Sequence, residues 1–193
     1  ITKILTKASI PYVELGGVKP NPRSGLVYEG IDLCKKEGVD FILAVGGGST
    51  IDSSKAIAAG SVYDGDYLDF YRGKEKITKA LPIGTVLTIA AAGSEGSPNT
   101  VITDESTGLK KGSRGECLRP KFSIMDPTLT FTLPAYQTAA GATDIMAHIC
   151  ERYFSNTEGV EVTDRLCEGL LKTMIKEAPI AVKEPENYDA RAN

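Results

Sequence analysis

Hydrophobic and polar positions follow two regimes along the chain. Up to about residue 133, short apolar runs alternate with segments of helical spacing. The run "IPYVEL" (10–15) predicts a short strand, and after the loop "GGVKPNP" the residues Leu26, Val27, Ile31 and Cys34 share one helical face. "FILAVGGGST" ends an apolar strand in glycines, and from Ile51 to Ala59 the spacing becomes helical again. Strand, helix, strand, helix predicts an α/β fold with a parallel sheet covered by helices. Further strands are expected at "ALPIGTVLTI" (80–89), "NTVITD" (99–104) and "KFSIMD" (121–126), whose β-branched residues are bounded by Gly, Pro and Asp.

After Pro134 the pattern changes. Ala142, Ile145, Met146, Ile149 and Tyr153 repeat at helical spacing, as do Val162, Leu166, Leu170, Leu171, Met174 and Ile175. The expected organisation is an α/β domain over residues 1–133 and a helical part over 134–193. Pro185 and Asn187 prepare one more helix start just before the final "YDARAN". No internal repeat interrupts this division.

A length of 193 residues suffices for a good-sized core. A net charge of -3 from 22 basic and 25 acidic residues excludes the strongly basic surface that a nucleic-acid binder needs. The densest basic run, "GLKKGSRGECLRPK" (108–121), is short and glycine-rich and reads as a solvated loop. No apolar run reaches the length of a membrane span, and "ITKILTKASIPY" lacks the apolar stretch of a signal peptide, so the cytoplasm is the expected location. Cys34, Cys117, Cys150 and Cys167 are widely spaced without a C-x-x-C pair and are expected to be reduced thiols. The chain begins with Ile1 and stops just after a helix start, so both ends are expected to be cut from a longer protein.

Three stretches carry candidate chemistry. In "AVGGGSTIDSSKAIAAG" a buried strand runs through three glycines into a helix. Gly47, Gly48 and Ser49 are the natural contacts for a diphosphate, because glycine lets the backbone approach a ligand and the first free N–H groups of a helix favour an anion. The stretch is neither G-x-G-x-x-G nor a P-loop, so a plain strand-to-helix turn stays open; Asp52, in the first helical turn where the dipole favours a carboxylate anyway, is counted with the cofactor-binding residues. In "TIAAAGSEGSPNTVITDE" small residues leave room for a flat group beside the hydroxyls of Thr88 and Ser97, and an ordinary loop is the competing reading. In "AAGATDIMAHICERY" Asp144 and His148 lie one helical turn apart, a spacing that suits either a shared cation or an Asp–His hydrogen bond. The apolar neighbours Ile145, Met146 and Ile149 favour the cation, since burying both groups without compensation costs several kcal/mol.

Taken in order and spacing, "GGGSTIDSSKAIAAG", "LTIAAAGSE" followed by "NTVITDE", "PKFSIMDPTLTFTLP" and "GATDIMAHICERYF" resemble the iron-containing alcohol dehydrogenase family, particularly its butanol dehydrogenase-like branch. The resemblance runs from Val18 to the last residue. It implies an N-terminal Rossmann-like domain followed by the start of an all-helical domain, the dehydroquinate synthase-like architecture, with a first strand missing. Gly47, Gly48 and Ser49 then match the phosphate-binding glycine loop, and Thr88, Ser97 and Val101 match positions lining the nicotinamide side. Lys110 falls near a lysine that reaches the ribose, and Asp144 and His148 match the first two metal ligands. The other two ligands in the family are histidines of a later helical region, whereas His148 is the only histidine here. One departure is "TIAAAGSE", where many members carry T-T-x-G-T-G-S-E, so that Ile89 and Ala92 replace hydroxyl-bearing residues.

The resemblance implies an oxidoreductase acting between an alcohol or aldehyde and NAD or NADP, assisted by a divalent metal, Fe2+ foremost and Zn2+ second. The metal would act as a Lewis acid on the substrate oxygen, with Asp144 and His148 as ligands rather than bases. The expected partners are a small-molecule substrate and a second copy in a homodimer, with no nucleic acid and no membrane. The chain by itself is expected to be an inactive fragment of that enzyme. Two alternatives stand beside it: a zinc-dependent sister resembling glycerol dehydrogenase or dehydroquinate synthase, and a non-catalytic nucleotide-binding fragment.

Overall fold

The computed structural model describes residues 1–193. Helix α1 (Thr2–Lys7) is followed by α2 (Ser24–Glu37), β1 (Ile42–Gly46), α3 (Gly48–Ser61) and the short α4 (Leu68–Tyr71). Then come β2 (Ile83–Leu87), β3 (Asn99–Thr103), β4 (Lys110–Arg114) and β5 (Phe122–Ile124). Helices α5 (Ala135–Tyr153), α6 (Glu161–Lys183) and α7 (Tyr188–Ala192) complete the chain.

Strands β1, β2 and β5 form a parallel sheet in the order β1-β2-β5, with Ile42 beside Ile83 and Gly84 beside Phe122. Every residue of β2, "IGTVL", is buried, as a central parallel strand covered on both faces requires. Gly84 is small because the Phe122 ring lies over it: a Cβ there would stand 2.5 Å from the tip of that ring. The outer edge of β1 carries no partner strand.

The main core lies between α2, α3, α4 and β3, built from Val27, Ile31, Ile57, Tyr67, Phe70, Tyr71, Ile102 and Leu118. Helices α2 and α3 approach through a reciprocal exchange. Ile57 occupies the space that a side chain on Gly30 would fill, and Ile31 occupies the space at Gly60. Helix α2 ends on Gly38 at φ 64, a left-handed cap whose N–H bonds to the carbonyl of Cys34.

Three expectations are corrected. The run 10–15 is not a strand: it lacks a ladder partner, and Ile10, Tyr12, Val13 and Leu15 stay exposed. An apolar run becomes a strand only when a neighbouring edge takes up its backbone groups. The 99–104 strand forms, but as β3 it leaves the parallel sheet and pairs antiparallel with β4, Val101 opposite Gly112. The supposed solvated loop 108–121 therefore contains β4. Its "KKGSR" is polar because the hairpin stands in solvent, so no hydrophobic alternation marks it.

In the helical part, α5 and α6 pack side by side. The apolar repeat of α6 divides: Cys167 and Ala181 are buried, whereas Val162, Leu166, Leu170 and Ile175 remain exposed. Asn187 caps α7, its side-chain oxygen accepting from the Ala190 amide.

Candidate functional site

Residues 46–49 connect β1 directly to α3. Gly47 is the N-cap in an extended conformation, and its carbonyl accepts from the amides of Thr50 at 3.0 Å and Ile51 at 3.1 Å. The amides of Gly48 and Ser49 precede those first helical bonds, so they are the donors that the end of α3 offers to a ligand. The two glycines differ. A Cβ on Gly48 would meet nothing within 4 Å, whereas one on Gly47 would stand 2.5 Å from the Ile89 side chain. The open space over this helix end therefore lies at Gly48.

The second stretch follows β2. The Thr88 amide donates to the Gly46 carbonyl at 3.1 Å, which ties the ends of β1 and β2 together. The chain turns at Gly93, forms a short 3-10 helix over Ser94–Gly96 and enters β3 at Asn99. Ser97 caps this re-entry, its hydroxyl oxygen accepting from the Asn99 amide at 3.2 Å. Val101 and Thr88 are half-buried, and Lys110, exposed at the start of β4, donates to Asn21 at 2.8 Å.

Asp52 does not face open space. One carboxylate oxygen accepts from the Ser94 hydroxyl at 2.6 Å and the other from the Val101 amide at 3.1 Å. Its expected place among direct cofactor contacts therefore becomes that of a tether between α3 and the 94–101 segment. Burial pushes the Asp52 carboxyl above its usual range, opposed by the Ser94 hydrogen bond, the nearby Lys55 charge and the Val101 amide.

Lys55, which the sequence reading passed over, is fully buried. Its Nζ donates to the carbonyls of Ser94 at 2.7 Å, Ser97 at 2.8 Å and Asn99 at 2.9 Å, and to the Ser94 hydroxyl at 3.1 Å. Burial lowers its pKa to about 8, opposed by the Asp52 and Glu95 carboxylates. The signal in the sequence was a single basic residue, one turn after Asp52, among small and apolar ones in "IDSSKAIAAG".

Asp144 and His148 share one face of α5, with Asp144 Oδ1 3.8 Å from His148 Nε2. They are 47% and 42% exposed, so the apolar surroundings expected from the sequence do not enclose them. Glu151 approaches the other ring nitrogen, its Oε2 lying 3.7 Å from Nδ1. No group of three His, Cys, Asp or Glu side chains able to hold a metal ion forms in the chain. A carboxylate and an imidazole at this separation fit half of a divalent-cation site, and further donors are needed to close it.

Gly141, one turn before Asp144, brings this pair toward the segment that leaves the carboxyl end of β2. A Cβ on it would stand 2.7 Å from the Ala90 carbonyl oxygen, so α5 packs directly on the segment that leaves β2. The end of α3, the 88–101 segment and α5 thus meet beyond the carboxyl ends of β1 and β2. In open α/β sheets that is where ligands bind.

Comparisons with known proteins identify the family and match the fold. The family model "Iron-containing alcohol dehydrogenase" matches residues 1–127, and "Fe-containing alcohol dehydrogenase family, C-terminal" matches residues 138–193. NADH-dependent butanol dehydrogenase A of Clostridium acetobutylicum is 50% identical over 192 residues, which are 100% of this chain and 49% of that protein. NADPH-dependent aldehyde reductase of Escherichia coli is 40% identical over 184 residues, 94% of this chain and 48% of that protein. The crystal structure of NADH-dependent butanol dehydrogenase A from Thermotoga maritima superposes with a TM-score of 0.96 at 46% identity, covering 99% of this chain and 48% of that one. The chain spans about half the length of the curated relatives it matches. It belongs to the iron-containing alcohol dehydrogenase family, in the butanol dehydrogenase-like branch.

Proposed function

We propose that this chain supplies the nucleotide-binding part and two metal ligands of an NAD(P)-dependent oxidoreductase for small alcohols and aldehydes. The observation that carries the reading is the meeting of three elements at one end of the sheet: the α3 N-terminus, the 88–101 segment and α5, which packs on Ala90 through Gly141. The amides of Gly48 and Ser49, with Gly47 beside them, bind the diphosphate. Thr88, Ser97 and Val101 line the nicotinamide side, Lys110 exchanges its Asn21 contact for the ribose, and Asp52 holds the lining segment in place. Asp144 and His148 hold the divalent metal, Fe2+ first and Zn2+ second, a choice of donors that suits either ion. When bound, the metal supplies Lewis-acid polarisation of the substrate oxygen.

The relative at 50% identity is named as an NADH enzyme and the one at 40% as an NADPH enzyme, so NADH is the first candidate cofactor. The division near Leu133 and Pro134, a cytoplasmic location and a homodimer complete the proposal. The test is calorimetric titration of the intact protein with NADH and NADPH, followed by NADH-dependent reduction of butanal in the presence of Fe2+ or Zn2+. Micromolar NADH binding with metal-dependent turnover is the expected result. Absence of nucleotide binding would overturn it.

A further inference from the structure

We propose that Lys55 is a positioning residue for the cofactor: its buried ammonium latches the segment that lines the nicotinamide side onto the helix that binds the diphosphate. The inference rests on the nucleotide-site reading above and goes beyond it by assigning a role to a residue that touches neither substrate nor cofactor.

Three observations converge on it. Lys55 is fully buried, yet its hydrogen bonds go to main-chain carbonyls of Ser94, Ser97 and Asn99 and to the Ser94 hydroxyl rather than directly to a carboxylate. Three N–H groups therefore serve four acceptors spread over six consecutive residues, which fixes the path of that segment residue by residue. Second, the Ser94 hydroxyl that accepts from Lys55 donates onward to Asp52, and the other Asp52 oxygen takes the Val101 amide. Lys55 and Asp52, one turn apart on α3, thus hold both ends of the stretch from Ser94 to Val101. Third, the helix that carries both residues begins at Gly48, so the diphosphate donors and the latch belong to one rigid element.

A side-chain ammonium is well suited to this task. Backbone carbonyls of an irregular segment have no ladder partners, and buried without donors each would carry the desolvation penalty of an unpaired polar group. A hydrocarbon side chain at residue 55 would leave the Ser97 and Asn99 carbonyls without this donor and the Ser94 carbonyl with only the Ser97 amide, and the segment would move toward water to satisfy them. The diphosphate donors at Gly48 and Ser49 lie about two turns before Lys55 on the same helix and do not depend on that segment.

The discriminating measurement compares ADP, which needs only the diphosphate end, with NADH, which also needs the 94–101 lining. In the intact protein, Lys55→Met is expected to weaken NADH binding by roughly tenfold or more, equivalent to about 1.4 kcal/mol, while ADP affinity stays within about twofold. Ser94→Ala, which removes one acceptor and the relay to Asp52 but leaves the buried ammonium, is expected to shift the NADH-to-ADP ratio in the same direction by a smaller factor. It also carries the test if Lys55→Met does not fold. Equal losses for both nucleotides, or an unchanged ratio in the folded variants, would overturn the latch. Wild-type protein that bound neither nucleotide would overturn both the latch and the reading beneath it.

Discussion

Gly141 of α5 lies so close to the Ala90 carbonyl oxygen that a Cβ on the glycine would stand 2.7 Å from it. This contact joins the helix carrying Asp144 and His148 to the segment leaving β2. In the function proposed above, it would fix how far Asp144 and His148 lie from the bound nucleotide. Gly141→Val is expected to push α5 away, because a backbone carbonyl cannot turn aside as a side chain can. In the intact protein, turnover should fall by roughly a hundredfold, the scale of loss that misplacing a reacting group by about 1 Å produces, with NADH affinity nearly unchanged. Steady-state kinetics alongside calorimetry checks this, and an equal loss of nucleotide binding would contradict it.

Gly48→Val is the clean probe of the diphosphate position. Nothing within 4 Å would meet its Cβ, so the fold should hold while the side chain fills the space over the helix end. Nucleotide affinity is expected to fall by more than about tenfold, with the melting temperature lowered only by a few degrees. Gly47→Val is less informative, since its side chain would also press on Ile89.

Metal retention tests the half-site. Asp144 and His148 supply two donors, whereas catalytic zinc sites keep three protein ligands. The 193-residue chain is expected to lose iron and zinc on dialysis, and His148→Ala in the intact protein to lose both metal and turnover. Elemental analysis finding one metal retained per isolated chain would refute the half-site.

The α2–α3 contact predicts a packing effect on stability. Ile31 occupies the space at Gly60, so Gly60→Ala should destabilise by about 1–3 kcal/mol through overpacking, despite the better helix propensity of alanine. Denaturant unfolding measures it. A stabilised Gly60→Ala variant would show that the two helices have room to separate.

Stability should also depend on pH in two opposite directions. The Lys55 pKa is lowered from its ordinary 10.5 to about 8, so between those values the unfolded chain carries a proton that the folded chain lacks, and this group's contribution rises with pH. Burial raises the Tyr28 hydroxyl to about 12 and also raises Tyr67 and Tyr71, so above their ordinary 10.0 the unfolded chain ionises first and stability falls. Chemical unfolding across pH 8 to 12 should show the gain followed by the loss, and Lys55→Met should lack only the gain.

The sequence by itself determined the elements whose pattern is local. The buried run of β2, the glycine turn into α3 and the helical spacing of α5 each follow from residues within one element, and the structure forms all three. It also marked Gly47, Gly48, Asp144 and His148, because backbone approach and one-turn ligand spacing are local properties. What depends on distant partners was not legible. Residues 10–15 have the composition of a strand but no edge to pair with, and β4 has the composition of a loop but pairs with β3. Only the tertiary structure decided that Asp52 faces Ser94 and Val101, and that Lys55 lies buried beneath the 94–99 segment, 39 to 44 residues away. The same holds for Gly141 meeting Ala90. Each of these depends on which surfaces the folded chain brings together, and a pattern read along one segment carries no record of what will cover it.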